Sequence, residues 1–365
     1  MTRIASTELA DRIVAPPAPE PNAAVSGRVL QFDGLRAVAF GTVYLDHTTH
    51  LPLLWCGVDV FFVLSGFLIT GILLERKRAG GPYFSAFYRR RAFRILPPYL
   101  LTILLYGVMF TWSEYKPVWL FALAPNVQEL VARSPSDLPL WSLAIEEQFY
   151  LLWPFVVLLL SERALLGVAL AALVCTPILR VLCTPLFWNH FPIYVLTPFR
   201  ADLLCAGAVL AILARRHPSE LRKFAERYGW MVCVTGYLLL TGTQAFPVFR
   251  LAGNTRTANG LVYLFSLIGA TGLLAWVLTS RGWLRRLLTY RPVRYLGEIS
   301  YTTYLVHIFL VVKLQQIWGV HTWVKILGLG LVIAYASVSW FVMERPLIRY
   351  AARHTPRGAK SAQFA

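Results

Sequence analysis

Arg36 and His47 stand eleven residues apart in a stretch, Asp33 to Thr70, that is otherwise apolar and of membrane-crossing length. If Leu35 to Thr49 is helical, that step is about 1,100°, within about 20° of three full turns, so both side chains share one face. His50 stays near that face, Asp46 points well away from it, and Asp59 comes from the next apolar segment. An ionisable group at membrane depth costs roughly 2.5–3.5 kcal/mol, so such a stripe must face a bundle interior or a wet cavity. These residue types suit proton transfer with charge stabilisation. A histidine of unperturbed pKa about 6.5 can take a proton from a hydroxyl, and a fixed guanidinium can meet developing negative charge. The structural alternative has Arg36 held at the interface by Asp33 and the histidines satisfied inside the bundle. Metal binding has little support: His47 and His50 supply two ligands, Asp46 projects away, and no Cys or third His is placed to close a site. No metal is expected.

Four further stretches carry polar chemistry. Tyr83 to Ile95 interleaves aromatics with Arg89, Arg90, Arg91 and Arg94 at helical spacing, as an amphipathic helix lying on a membrane surface would. Such a helix anchors to anionic lipid, and its guanidinium groups also bind phosphates through paired hydrogen bonds. Trp141 to Tyr150 brings Glu146 and Glu147 into the start of a membrane helix, about 100° apart, so only one faces the interior. Glu146 shares a face with Tyr150, and a carboxylate near a helix N-terminus is also favoured as a cap by the dipole. Arg200 and Asp202 read as a structural ion pair or the entrance to an acceptor cavity. In Tyr295 to His307, Gly297 ends a loop, Ser300 can cap the following helix, and His307 is a bundle histidine with a packing or hydrogen-bonding role.

The elements that must position these groups are transmembrane helices. The 365 residues are 57% hydrophobic and only 15% charged, too apolar for soluble domains of that length. With 35 basic and 18 acidic residues the formal charge is +17, which in a soluble chain suggests nucleic acid. Here the basic residues cluster between apolar segments, so topology explains them and no nucleic-acid partner is expected.

Ten stretches can cross about 30 Å of hydrocarbon; they lie near 33–50, 53–74, 97–114, 141–160, 164–183, 199–214, 229–246, 259–280, 299–318 and 322–343. Basic clusters at 76–94, 215–227, 281–294 and 345–360 all fall on one side of that arrangement, which puts both termini in the cytoplasm. An all-α, ten-pass helix bundle follows. It comprises a disordered cytoplasmic lead-in at 1–29 without the apolar core of a signal peptide, a membrane domain at 30–346 and a basic cytoplasmic tail at 347–365, with no soluble appendage. Cys56, Cys175, Cys183, Cys205 and Cys233 are scattered, and no disulfide is expected.

Gly34-Leu35-Arg36 with His47, then Gly57-Val58-Asp59-Val60-Phe61-Phe62-Val63-Leu64-Ser65-Gly66, resembles the entry to the acyltransferase-3 family of integral-membrane O-acyltransferases. Arg90-Arg91-x-x-Arg94-Ile95-x-Pro97-Pro98-Tyr99, Trp141-Ser142-Leu143-x-x-Glu146, Tyr295 to His307 and Glu344-Arg345-Pro346 extend the resemblance, in order, from Leu30 to Pro346. It implies an enzyme of the bacterial cytoplasmic (inner) membrane that moves an acyl group, often acetyl, from acyl-CoA to a hydroxyl of a cell-envelope glycan, lipid-linked sugar or secreted metabolite. Acyl-CoA would be a co-substrate approached from the cytoplasm and held by Arg90, Arg91 and Arg94, with no permanently bound cofactor. His47 would be the general base, oriented by Asp59 or Glu146, with Arg36 on the thioester oxygen or the donor. The Trp-Ser-Leu-x-x-Glu pattern puts the site carboxylate on Glu146, which leaves Glu147 as a cap or solvent-facing residue; Ser65, Trp141 and Tyr150 are accessory candidates, Ser65 as the carrier of an acyl-enzyme. A proton-coupled transporter or flippase would have the same composition and topology; the arginine block and the five-part resemblance separate the two.

Overall fold

The computed structural model describes residues 29–49, 51–109, 122–132 and 139–354. His50, most of the lead-in at 1–29 and the end of the tail at 347–365 lie outside the described residues.

Among the described residues the chain is all-helical. Helices α1 (Gln31–Thr49), α2 (Gly57–Ala79), α3 (Tyr83–Met109), α4 (Pro125–Ala132) and α5 (Leu140–Leu159) are followed by α6 (Glu162–Cys183), α7 (Phe191–Val195), α8 (Ala201–Arg216), α9 (Pro218–Gly242) and α10 (Arg256–Leu278). Two short amphipathic helices, α11 (Gly282–Thr289) and α12 (Arg291–Glu298), lead into α13 (Ser300–Trp318) and α14 (Thr322–Ser339), and a π turn at Trp340–Glu344 passes into α15 (Arg345–His354). Among the described residues six helices are long and apolar enough to cross a membrane, or seven if the bent pair α12–α13 is one span. The charged residues Asp33, Arg36 and Asp46 interrupt α1, α8 has only 16 residues, and α9 begins with a charged stretch at 218–228. In α1 and α8 the buried Asp33 and Asp202 face protein instead of lipid, whereas the charged start of α9 is exposed.

The core is built around α2. Its Leu73, Val63 and Phe62 are fully buried, and it lies against α8 so closely that a Cβ on Gly66 would collide with the Leu204 carbonyl. A second close approach seats the start of α1: Gly297 of α12 lies on the Asp33 backbone with no room for a Cβ. Gly297 is therefore a contact residue within a helix rather than the end of a loop, and Ser300 makes no side-chain cap on α13. The amphipathic stretch at 83–95 and the third apolar segment form one 27-residue helix, running through Pro97 and Pro98. Within it the Thr102 hydroxyl donates to the Pro98 carbonyl at 2.7 Å, and the Tyr301 hydroxyl donates to that of Ile95 at 3.2 Å.

Candidate functional site

At the N-terminal end of α1 a cavity of about 110 Å³ is lined by Arg36, Arg91 and Arg94 together with Ser65, Ser142, Glu146, Tyr150, Tyr301 and Tyr304. The α3 backbone places Arg91 and Arg94 three residues apart on neighbouring faces, and the Arg91 guanidinium lies 5.3 Å from the Tyr150 ring centroid. Arg90 is not part of the lining. Arg36 reaches back one turn to Asp33 at 3.2 Å, following the tilt of helical side chains toward the N-terminus. Ser65, Glu146 and Tyr150 form a closed network: the serine hydroxyl donates to Glu146 Oε1 at 2.8 Å, and the Tyr150 hydroxyl donates to Oε2 at 2.9 Å and lies 3.2 Å from Ser65 Oγ. Both glutamates stand in the second turn of α5, past the reach of a helix cap, and Glu147 Oε1 is buried without a hydrogen-bond partner. Glu147 is thus neither a cap nor a solvent-facing residue. Trp141 does not line the cavity; it packs into the wall behind it, 4.5 Å from the Tyr194 ring.

His47 stands about 16 Å further along α1, from eleven residues at about 1.5 Å each. Its ring stacks on His307 at 5.1 Å, with His47 Nδ1 2.8 Å from His307 Nε2. The second nitrogen of His307, Nδ1, lies 2.6 Å from the Tyr304 carbonyl. A carbonyl only accepts, so His307 Nδ1 carries the proton and its Nε2 is the acceptor. His47 Nδ1 must then be the donor, which leaves the lone pair of neutral His47 on Nε2. His47 lines a separate, wider vestibule of about 790 Å³ at the C-terminal end of α1. Between cavity and histidine pair stands Tyr304, 2.6 Å from Ser142 Oγ; the Ser142 hydroxyl also lies 3.0 Å from the Pro139 carbonyl, so its proton goes there and the tyrosine donates to it.

The orienting partner of His47 is thus His307, on α13. Asp59 cannot serve, because one carboxylate oxygen is held by Arg200 and the other accepts from Ser266 at 2.6 Å. Glu146 is engaged by Ser65 and Tyr150. Arg200 does not pair with Asp202 either; that carboxylate is held by Arg180 at 2.5 Å. Asp59, Arg200, Asp202 and Arg180 are all fully buried, and Arg200 lies among the rings of Phe62, Tyr194 and Tyr263 at 5.1–5.8 Å. The four charges tie together the starts of α2 and α8 and the end of α6. Removing one partner of a buried pair strands the other charge at a cost of about 3–5 kcal/mol, whereas replacing both with apolar groups is far milder. Arg200→Met is therefore expected to lower the thermal midpoint in detergent sharply, and Asp59→Leu combined with Arg200→Met to recover much of it. A single variant of unchanged midpoint that has lost only catalysis would return Asp59 to the reaction.

His307 and Tyr304 escaped the sequence as site residues. The signal available was their spacing, one turn apart on a segment that ends in a buried histidine. The family model described as an acyltransferase domain matches residues 29–343. The chain is 31% identical over 355 residues to a Bacillus subtilis protein, YrhL, which bears the provisional name of a peptidoglycan O-acetyltransferase; the match covers 86% of this chain and 54% of that protein. It is 28% identical over 358 residues to the peptidoglycan O-acetyltransferase OatA of Listeria monocytogenes, covering 87% and 56%. The chain thus spans about half the length of the curated relatives it matches. No solved structure matches it.

Proposed function

We propose that this chain, which belongs to the acyltransferase-3 family, transfers an acetyl group from acetyl-CoA to a hydroxyl of a cell-wall glycan, with peptidoglycan as the polymer named for its relatives. One observation carries the proposal: a histidine whose tautomer is set by a second histidine stands between an arginine-lined cavity and a polar vestibule. Ten membrane crossings with both termini in the cytoplasm of a bacterial inner membrane complete it, supported by the sidedness of the basic clusters. The arginine cavity then opens toward the cytoplasm, where acetyl-CoA is found, and the vestibule faces outward. A transporter would need the same buried charges but gives no role to three arginines converging beside a hydrogen-bonded serine and carboxylate.

In this scheme Arg36, Arg91 and Arg94 hold the donor. The cavity, about 110 Å³, is small beside the roughly 300–1,000 Å³ of pockets that enclose whole ligands. It admits part of the pantetheine arm, and the nucleotide stays at the mouth. Arg36 is too far along α1 from His47 to touch the carbonyl on which that base acts, so its role is donor holding and not oxyanion stabilisation. The acyl end passes Tyr304 as its bond to Ser142 opens. His47 Nε2 removes the acceptor hydroxyl proton while the oxygen forms its bond to the thioester carbon. The carbon–sulfur bond then breaks and coenzyme A leaves with a proton. The cation formed on His47 keeps its Nδ1–H on His307, so no carboxylate is needed beside it.

The Ser65–Glu146 bond favours a second course, in which Ser65 Oγ takes the acyl group, Glu146 receives its proton and the ester is passed on. That ester would form in the arginine cavity, on the wrong side of Tyr304 from the vestibule. Direct transfer is therefore preferred. Purified protein in nanodiscs, given acetyl-CoA labelled in the acetyl group and a soluble glycan, is expected to yield labelled glycan and no hydroxylamine-labile label on protein. Ser65→Ala should retain transfer to within about tenfold, the scale of one lost hydrogen bond. A labile adduct that vanishes in Ser65→Ala would establish the relay instead.

A further inference from the structure

Resting on that glycan-transfer reading, we propose that the vestibule around His47 is an acceptor subsite built for an anionic sugar, with Arg250 and Lys325 gripping a carboxylate or phosphate beside the hydroxyl to be acetylated. Both cations line the vestibule, and they come from separate elements: Arg250 from between the 3₁₀ turns at Pro247–Phe249 and Leu251–Gly253, Lys325 from the first turn of α14. Neither forms an ion pair among the described residues.

Nothing else in the fold accounts for them. Lys325 stands where the positive end of the α14 dipole disfavours a cation. The basic residues that set topology lie in the clusters at the other end of the bundle. Arg250 is exposed, with its backbone N–H donating to Pro247 at 3.0 Å and its carbonyl accepting from Gly253 at 3.0 Å, so the two turns hold the residue in place without using its charge.

The lining also holds the carboxylate of Asp46, which the structure places in the same vestibule as His47 and which is opposite in charge to the two cations; the rest of it suits a sugar. Gln244 and Gln315 offer paired amide donors and acceptors for hydroxyls, and Trp55 presents an aromatic surface to an apolar sugar face. Trp55 is itself braced edge-on by Tyr194 and Tyr263, at 5.8 and 5.6 Å between centroids, so it is a rigid platform. The volume, about 790 Å³, falls within the roughly 300–1,000 Å³ of small-ligand sites.

The test is a comparison of two acceptors of equal length in nanodiscs of zwitterionic lipid with acetyl-CoA: a disaccharide containing N-acetylmuramic acid, which carries a free carboxylate, and neutral diacetylchitobiose. The wild-type protein should show a KM lower by about tenfold or more for the carboxylated sugar, the scale of one charge-assisted hydrogen bond. Arg250→Gln with Lys325→Gln should erase that preference by raising the KM for the carboxylated sugar alone, with kcat for it held within about twofold, because the cations bind a group that does not react. Arg250→Lys with Lys325→Arg should keep the preference and guards against a folding defect. Equal KM values for the two sugars in the wild type, or a preference that survives in the double Gln variant, would overturn the subsite. Equal values together with stabilisation by phosphatidylglycerol that the double Gln variant loses would overturn it in favour of a lipid headgroup. Acetyl-CoA bound without product from either sugar would instead overturn the glycan-transfer reading on which the subsite rests.

Discussion

His47→Ala is expected to fold, insert and bind acetyl-CoA as the wild type does, yet to lose transfer by a factor on the order of 10²–10⁴, the usual worth of a positioned proton transfer. The arginine-lined cavity proposed for the donor lies at the other end of α1 and is not lined by His47, so donor affinity has no reason to change. His307→Ala should fall less, by roughly 5- to 150-fold, the equivalent of about 1–3 kcal/mol for leaving the His47 Nδ1–H without its buried acceptor. Product formation by mass spectrometry, normalised to folded protein by size exclusion, reads both. Turnover near normal in His47→Ala would remove the base from the mechanism, and loss of the folded peak would make the histidine structural.

Arg91→Gln with Arg94→Gln is expected to weaken acetyl-CoA by a factor on the order of 10²–10⁴, since two charge-assisted hydrogen bonds at about 1.5–3 kcal/mol each are lost. Arg90→Gln should change affinity little, because that side chain lies outside the cavity. Lys at positions 91 and 94 should rescue only in part, as an ammonium lacks the planar fork of donors. Arg36→Lys belongs with them: its lysine keeps the charge but not the geometry that reaches both Asp33 and the cavity. Equilibrium binding of acetyl-CoA to protein in nanodiscs measures each. Undiminished affinity in the Arg91, Arg94 variant would reduce the block to a lipid anchor.

What the sequence conveyed followed chain distance. Arg36 and His47 belong to one helix, so their common face is a matter of 3.6-residue spacing and is legible without a structure. Glu146 and Tyr150, one turn apart, are legible for the same reason. His307 is 260 residues from its partner, and periodicity contains nothing about which helix lies beside which. Asp59 was drawn toward His47 by proximity in the chain, but its carboxylate is met by groups arriving from α8 and α10. Arg200 and Asp202 mislead in the same way. Two positions apart, they do not face each other, and each finds its counter-charge on another helix. Helix ends were less legible than helix interiors. The amphipathic stretch at 83–95 and the apolar segment from 97 read as separate elements, yet α3 runs through Pro97 and Pro98 as one helix.

Proteoliposomes test the central claim most directly. The protein is reconstituted in one orientation, established by protease access to its tail, with acetyl-CoA supplied only on the face of the arginine cavity and a glycan acceptor only on the face of the vestibule. Because donor cavity and histidine-lined vestibule open at opposite ends of α1, acetylated glycan should accumulate in the acceptor compartment, at the wild-type rate with wild-type protein and at the residual rate with His47→Ala. Product that forms only when donor and acceptor share one compartment would contradict the account.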